Sequence, residues 1–418
     1  VALGYSALGT SVDGDYNTAI GFKALEDYED GDGDGHNTAV GAQSQSNATT
    51  GQFNVSLGSS SLGGAALAGD NNIGLGYKAG YALTSGSSNV AVGHESLMTE
   101  DGHGKNTAVG HQTLKVQDAG ADAYNVAVGY SAGLAVTTGT LNTLIGGLAG
   151  DALTTGAQNV AIGYEALSTE NAHGTVVAVG FQALKTQDAG ANTYNVAVGY
   201  QAGVSVTTGV QNTLIGGLAG DSLTTGNYNV ALGYGSLGSE DANSANVAIG
   251  YATLTTLNAG ADAFNTAVGY SAGGNMSTAI RNTVIGGLAG DALTTGSYNV
   301  AIGYEALSTE DTRSANVAIG YQALKTQNAG ADAYNTAVGH AAGVAVTTGI
   351  YNTLVGGLAG DALTIGNQNV AVGMLALSAS VDGDNNTAIG FQALKDYEDG
   401  DGNGHNTAVG ANSQVAAT

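Results

Sequence analysis

The chain has 418 residues, with 69 Gly, no Pro, no Trp and no Cys, and 43% of its residues are apolar. Its 34 Asp and Glu against 9 Lys and Arg give a net charge of −25, which disfavours nucleic acid and anionic membrane as partners because phosphate binding needs a cationic surface. Lack of Cys removes disulfide and thiol chemistry, the apolar share argues against disorder, and Gly without a three-residue period or Pro excludes collagen.

One motif runs through the chain from its first residues. The opening "VALGYSALG" is a truncated copy of Asn-[Thr/Val]-[Ala/Leu]-[Val/Ile/Leu]-Gly, and full copies begin at 17, 37, 54, 72, 89 and 106 and continue to 406. The total is 24 units, and only Val176 lacks the leading Asn. Most units are 17 residues long. From 106 onward every fourth unit is 19 or 20, at 106, 176, 246, 316 and 386, so that 17+17+17+19 makes a 70-residue super-repeat. Residues 17–45 also match 386–414 at 25 of 29 positions. A repeat of this kind is one structural unit stacked many times. Because the chain opens one residue inside a unit, we expect it to be a piece of something longer. No segment reads as a signal peptide, and no apolar run nears the 18 residues of a membrane span.

Each unit reads as β-structure. Gly closes every core motif, and an interior Gly costs a helix about 1 kcal/mol against Ala. The run "NVAVG" is short, β-branched and Gly-bounded, as a strand should be. A second short segment such as "YEAL" or "YSAG" and a turn such as "LTTG" (Leu153–Gly156, Leu223–Gly226, Leu293–Gly296) follow. Two strands and two turns per unit predict one coil of a parallel β-solenoid, all-β, with 24 coils of 17–20 residues as one continuous region over 1–418. Stacked at about 4.8 Å, the coils would span roughly 115 Å, each touching only its neighbours.

In such a stack the Asn side chains fall one above another. Asn125, Asn142, Asn159, Asn195, Asn212, Asn229, Asn265, Asn299 and Asn335 are therefore expected to form a hydrogen-bonded amide ladder, in preference to a glycan-binding row. The strand "VAV" has three consecutive apolar positions, where a sheet with one wet face should alternate. Both its faces are then expected to be covered, one by the coil's second strand. The repeated Ala (Ala127, Ala161, Ala197, Ala231) would allow a partner chain to approach closely. Three chains around one axis would hide the long apolar stripe, so a homotrimer is expected.

The runs "NTAIGFKAL", "NVAIGYEAL" and "NTAVGYSAG" resemble the head repeats of YadA-type trimeric autotransporter adhesins and the related repeats of phage tail fibres and bacterial surface proteins. The resemblance covers essentially all 24 units. It implies a left-handed parallel β-roll, trimeric and extracellular, serving as an adhesive or spacer rod on a cell surface or virion fibre, with a host receptor or glycan as partner. The chain departs from that pattern in its 17-residue unit and shows no coiled-coil stalk, membrane anchor or terminal chaperone domain.

The long coils carry the variation. "KVQDAGADAY" (Lys115–Tyr124), "KTQDAGANTY" (Lys185–Tyr194), "TTLNAGADAF" (Thr255–Phe264) and "KTQNAGADAY" (Lys325–Tyr334) should bulge at one turn, as recognition loops or as insertions that loops accept cheaply. Near either end the same slot is acidic, "DYEDGDGDGH" (27–36) and "DYEDGDGNGH" (396–405). Asp30, Asp32 and Asp34 before Gly35, with Asp399, Asp401 and Asn403 before Gly404, place oxygen ligands around a Gly that permits a tight curl, as Ca²⁺ requires. The EF-hand is rejected, because its bidentate Glu would fall on Gly41 or Gly410. What remains is a looser Ca²⁺ loop or a solvated acidic loop, with "SVDGD" (11–15, 380–384) one coil earlier able to add carboxylates. No other cofactor is expected.

No catalytic set emerges. His94, His111 and His340 hold the slot filled elsewhere by Tyr130, Tyr164 and Tyr200, while His36 and His405 precede a core Asn. No His pair has metal-ligand spacing. The pairs Glu100–Asp101, Glu240–Asp241 and Glu310–Asp311 recur with the coil template and read as a solvated edge instead of a glycosidase pair. The chain is therefore expected to be a structural or adhesive rod module and not an enzyme. A polysaccharide-binding or -degrading tailspike would need carboxylates outside the template. An ice-binding solenoid would need Thr-x-Thr on every coil, whereas "TTG" occurs on only some.

Overall fold

The computed structural model describes residues 1–11, 16–29, 35–310, 312–397 and 404–414. Among these there are 24 strands, β1 (Ala2–Leu3) to β24 (Thr407–Val409), one per repeat unit, and no helix. The chain divides into two compact units, Val1–Val210 and Gln211–Thr418. The first contains β1 through β12 (Val196–Val198) and the second β13 (Thr213–Ile215) through β24. Each unit is a parallel β-solenoid.

Within each unit consecutive strands pair in parallel and in register. In the first, Val160, Ala161 and Ile162 lie against Val177, Ala178 and Val179; in the second, Val300, Ala301 and Ile302 lie against Val317, Ala318 and Ile319. Unit length does not disturb this. Thr18 pairs with Thr38 and Val177 with Val196, so the extra residues of the long coils all sit outside the strand. Like residues therefore stack on like, and small differences between coils become columns.

Two sequence expectations are corrected by the structure. The segment after the motif Gly is not a second strand. It is a turn in which alternate residues take left-handed backbone, as at Glu165 (φ 52°) and Leu167 (φ 52°), and both Ala166 and Leu167 point inward. Its N–H groups still bond to flanking coils: Glu165 N–H donates to Gly147 C=O at 3.0 Å and Leu167 N–H to Ala183 C=O at 3.0 Å. A coil therefore reaches both neighbours without a second ladder of paired strands. The motif Gly permits this corner. Gly163 sits at φ 137°, where a Cβ would lie 2.2 Å from the Gly180 carbonyl oxygen, so no other residue fits.

The strand Ala is also placed differently. Ala127, Ala161, Ala197 and Ala231 are fully buried inside their own coils, and the small side chain sets the thinness of the coil. It is not a point of approach for a partner. Strands show the alternation of a one-sided sheet, with a buried centre between two part-exposed neighbours, as in Val160–Ile162. The core of a coil consists of that Ala, the turn Ala and Leu (Ala166, Leu167), a further Leu such as Leu153, and the Asn.

Candidate functional site

The leading Asn of each motif is buried beside the strand, and its amide is used against the backbone. Asn142 Oδ1 accepts from the Asn159 main-chain N–H at 3.0 Å, and Asn142 Nδ2 donates to Gly156 C=O at 2.9 Å. Asn125 Oδ1 accepts from Asn142 N–H at 2.9 Å. Asn159 Oδ1 accepts from Val176 N–H at 3.1 Å, where the ladder loses one side chain. In the second unit Asn212 Oδ1 serves Asn229 N–H at 2.9 Å, while Asn265 and Asn299 donate to Ala279 C=O and Arg313 C=O. Amide-to-amide bonds are a minority, as between Asn282 and Asn265 at 3.2 Å. In the long coils a buried Gln supplies an additional acceptor: Gln117 to Asn125 (2.8 Å), Gln187 to Asn195 (2.8 Å) and Gln327 to Asn335 (2.6 Å). Sequence reasoning missed this Gln, whose signal was its return at 117, 187 and 327 with Leu at 257.

The outward side of the strand is a continuous surface. Its two outward columns are Val or Thr and Val, Ile or Leu, and they are exposed to 37% at Val126 and Ile145 and 41% at Leu232. On one flank lies the residue after the motif Gly, where aromatic rings stack coil upon coil. Tyr164, Phe181 and Tyr200 have centroids 5.7 and 5.4 Å apart, and Tyr234, Tyr251 and Tyr270 repeat this at 5.8 and 5.4 Å. His94 and His111 continue the column from Tyr77 to Tyr130. Gly147, Gly217, Gly287 and Gly357 interrupt it once per super-repeat. On the other flank, before the Asn, a second column includes stacked Tyr16, His36 and Phe53, and Tyr334 on Tyr351.

Beside the first aromatic column runs a polar row. Glu95 accepts from Gln112 (2.9 Å) and Lys115 (2.8 Å), and Glu165 from Gln182 (2.8 Å) and Lys185 (2.5 Å); Glu305 repeats it with Gln322 and Lys325. The lysine hydrogen bond holds Glu95 well below the carboxylate range, at about 2.

The Glu-Asp pairs are not a solvated edge. Glu100, Glu170, Glu240 and Glu310 are fully buried, and Asp101 and Asp241 beside them are exposed. Glu240 Oε1 accepts from the Asn243 N–H at 3.1 Å. Burial pushes its carboxyl up to about 7, against the lowering effect of that hydrogen bond. Glu100 is likewise pushed up to about 7 by burial, opposed by the His103 N–H and added to by Asp118 and Asp101. Ligand atoms of Glu100, Asp101, His103 and Asp118 lie within 4.8 Å of one another, so these four side chains could hold a metal.

Asp30, Asp32, Asp34, Asp399, Asp401 and Asn403 fall outside the described residues. Of the neighbouring "SVDGD" segments, Asp384 is described, and its carboxylate accepts from Asn367 N–H at 2.6 Å. The long-coil loops protrude as expected: Asp118, Gly120 and Asp122 are exposed while Gln117 and Ala123 stay buried. Hydroxyls of the "TTG" turns bond to the next coil, Thr137 to Thr154 C=O (3.1 Å) and Thr224 to Asp241 C=O (2.7 Å). No helix among the described residues is long and apolar enough to cross a membrane. Comparison with known proteins finds no matching family model, no similar curated protein and no similar solved structure.

Proposed function

We propose that the chain is a structural and adhesive rod module of an extracellular fibre, assembling as a homotrimer and presenting its edge loops to a surface receptor or glycan. The observation that carries this reading is the outward strand face: two columns of Val, Ile, Leu and Thr flanked by stacked rings, repeated on coil after coil within each unit. A single chain leaves this stripe in water, and apolar stripes of such length on soluble proteins are covered by partners. A second and third copy present the same columns at the same rise, so self-assembly matches the face coil for coil. The left-handed coil sense implied by the resemblance to adhesin head repeats belongs to the same reading.

Two features support a passive module over an enzyme or an ice binder. The recurring carboxylates are buried within coils or tied to Lys and Gln, away from any paired arrangement across a groove. The "TTG" hydroxyls cited above are used in bonds between coils and are not an ordered outward array. Light scattering on the chain tests the assembly: the expected mass is about 120 kDa, three copies of 40.9 kDa. The double variant Ile145→Asp, Ile285→Asp, altering two outward positions, should dissociate into folded monomers. A wild-type mass of one chain overturns the trimer and with it this use of the face.

A further inference from the structure

We infer that Glu100, Asp101, His103 and Asp118 form a binding site for a divalent transition ion of the zinc type, specific to one of the four super-repeats. Glu100, Asp101 and His103 belong to one turn, and Asp118 comes from the long coil stacked on it, with all four ligand atoms within 4.8 Å of each other. A cluster of acids alone would say little. Here, however, Glu100 is fully buried and its Oε2 has no hydrogen-bond partner, while the shielded His103 Nδ1 also has none. That nitrogen lies 3.5 Å from Glu100 Oε1, and Oε1 is already held by the His103 main-chain N–H at 3.2 Å. A buried carboxylate oxygen left without a donor costs stability, and a cation is the group that satisfies it together with an imidazole nitrogen.

The donor set selects the ion. Ca²⁺ takes six to eight oxygens, whereas one imidazole with carboxylates suits Zn²⁺ and its neighbours. Donors around a tetrahedral ion with bonds of 2.0–2.1 Å stand about 3.4 Å apart. Closing from 4.8 Å is a side-chain movement that the exposed Asp101 and Asp118 can make. The backbone is already fixed: His103 C=O accepts from Asn89 Nδ2 at 3.1 Å, and Asp118 N–H donates to Thr137 C=O at 2.8 Å.

The other super-repeats provide internal controls. At 70-residue steps the four positions read Glu170, Asn171, His173, Asp188, then Glu240, Asp241, Asn243, Asn258, then Glu310, Asp311, Arg313, Asn328. Only the first set keeps all four ligands, so one ion per chain is expected from this motif. Bound there, it would tie a protruding loop to the coil below and stabilise that stretch in proportion to ion concentration.

Calorimetric titration of the metal-stripped chain with ZnCl₂ tests this, with Co²⁺ absorption as a second readout. The wild type should bind one equivalent at micromolar or tighter affinity that His103→Asn loses and Asp118→Asn weakens at least tenfold. His94→Asn should retain it. Co²⁺ should give a visible band that disappears in His103→Asn. Neither replaced side chain is in the core, so both variants should keep the wild-type circular dichroism. Equal Zn²⁺ stoichiometry and affinity in wild type and His103→Asn would overturn the site, and displacement by equimolar Ca²⁺ would overturn its assignment to a transition ion.

Discussion

Replacing Asn142 with Ala tests whether the Asn column holds adjacent coils together. The substitution removes one acceptor and one donor. It strands the Asn159 N–H, now bonded to Asn142 Oδ1 at 3.0 Å, and the Gly156 carbonyl, now bonded to Asn142 Nδ2 at 2.9 Å. Asn159 is fully buried and Gly156 is buried, so water cannot replace either partner cheaply. Each buried orphan costs about 1–3 kcal/mol, which places the total at about 2–6 kcal/mol. In a stack where each coil touches only its neighbours the damage stays local, and a single unfolding midpoint would blur it. Amide hydrogen exchange resolved by residue is therefore the assay. Protection at Asn159 should fall by about 10- to 100-fold, at about 1.4 kcal/mol per tenfold, with loss fading within two coils. Asn142→Asp keeps the acceptor for Asn159 but faces a carboxylate oxygen toward Gly156 C=O, so it should exchange faster at pH 7 than at pH 4. Unchanged protection at Asn159 in Asn142→Ala would refute the ladder as a source of cohesion.

Two other substitutions probe the coil geometry and the buried carboxylates. Gly163→Ala should destabilise by about 1–3 kcal/mol from backbone strain alone, with more from the 2.2 Å approach to Gly180 O; Gly190→Ala, where nothing lies within 4 Å, should be near neutral, and equal melting of the two variants would contradict the argument. Glu240 has its folded pKa raised from 4.5 to about 7, so the folded state holds the proton more tightly than the unfolded chain. Its contribution is most favourable below about pH 4.5 and declines as pH rises toward 7, by up to about 3 kcal/mol. Glu240→Gln should therefore raise thermal stability at pH 8 and change little at pH 4; an equal shift at both pH values would rule this out.

Much of the architecture was legible because the 17-residue motif is so regular. Asn, the β-branched neighbours and the closing Gly located every strand. What was not legible follows from the backbone. The segment "YEAL" has strand-like composition, yet Glu165 and Leu167 take left-handed φ, an option that no side-chain pattern signals in non-Gly residues. The same omission misdirected the Ala. Once only one strand lines the coil, the inward residue must be small, and the flanking Val160 and Ile162 become the outer face. The burial of Glu100 and Glu240 was hidden because a Glu-Asp pair reads as polar, while its turn carries the first residue inward and the second outward.

The 70-residue period has a physical basis in columns and not in any single coil. Three coils in four carry a ring that stacks on the next, and the fourth carries Gly with a half-buried Asp (Asp151, Asp221, Asp291, Asp361) whose carboxyl is raised by burial. A ring needs a neighbour about one coil away to stack, so a break is tolerated only where the missing ring leaves room that something else uses. Beside Gly287 that room is a groove lined by Tyr270, Ser271, Asn275, Leu288 and Asp291. The Glu–Gln–Lys row follows the same rhythm, spanning the three aromatic coils at 95, 112 and 115 and again at 165, 182 and 185. In the third super-repeat these positions are Gly235, Ala252 and Thr255, while the rings of Tyr234, Tyr251 and Tyr270 remain stacked. The stack therefore survives without the ion pairs, as expected when exposed pairs contribute at most about 1 kcal/mol and the packing of the rings themselves holds the column together.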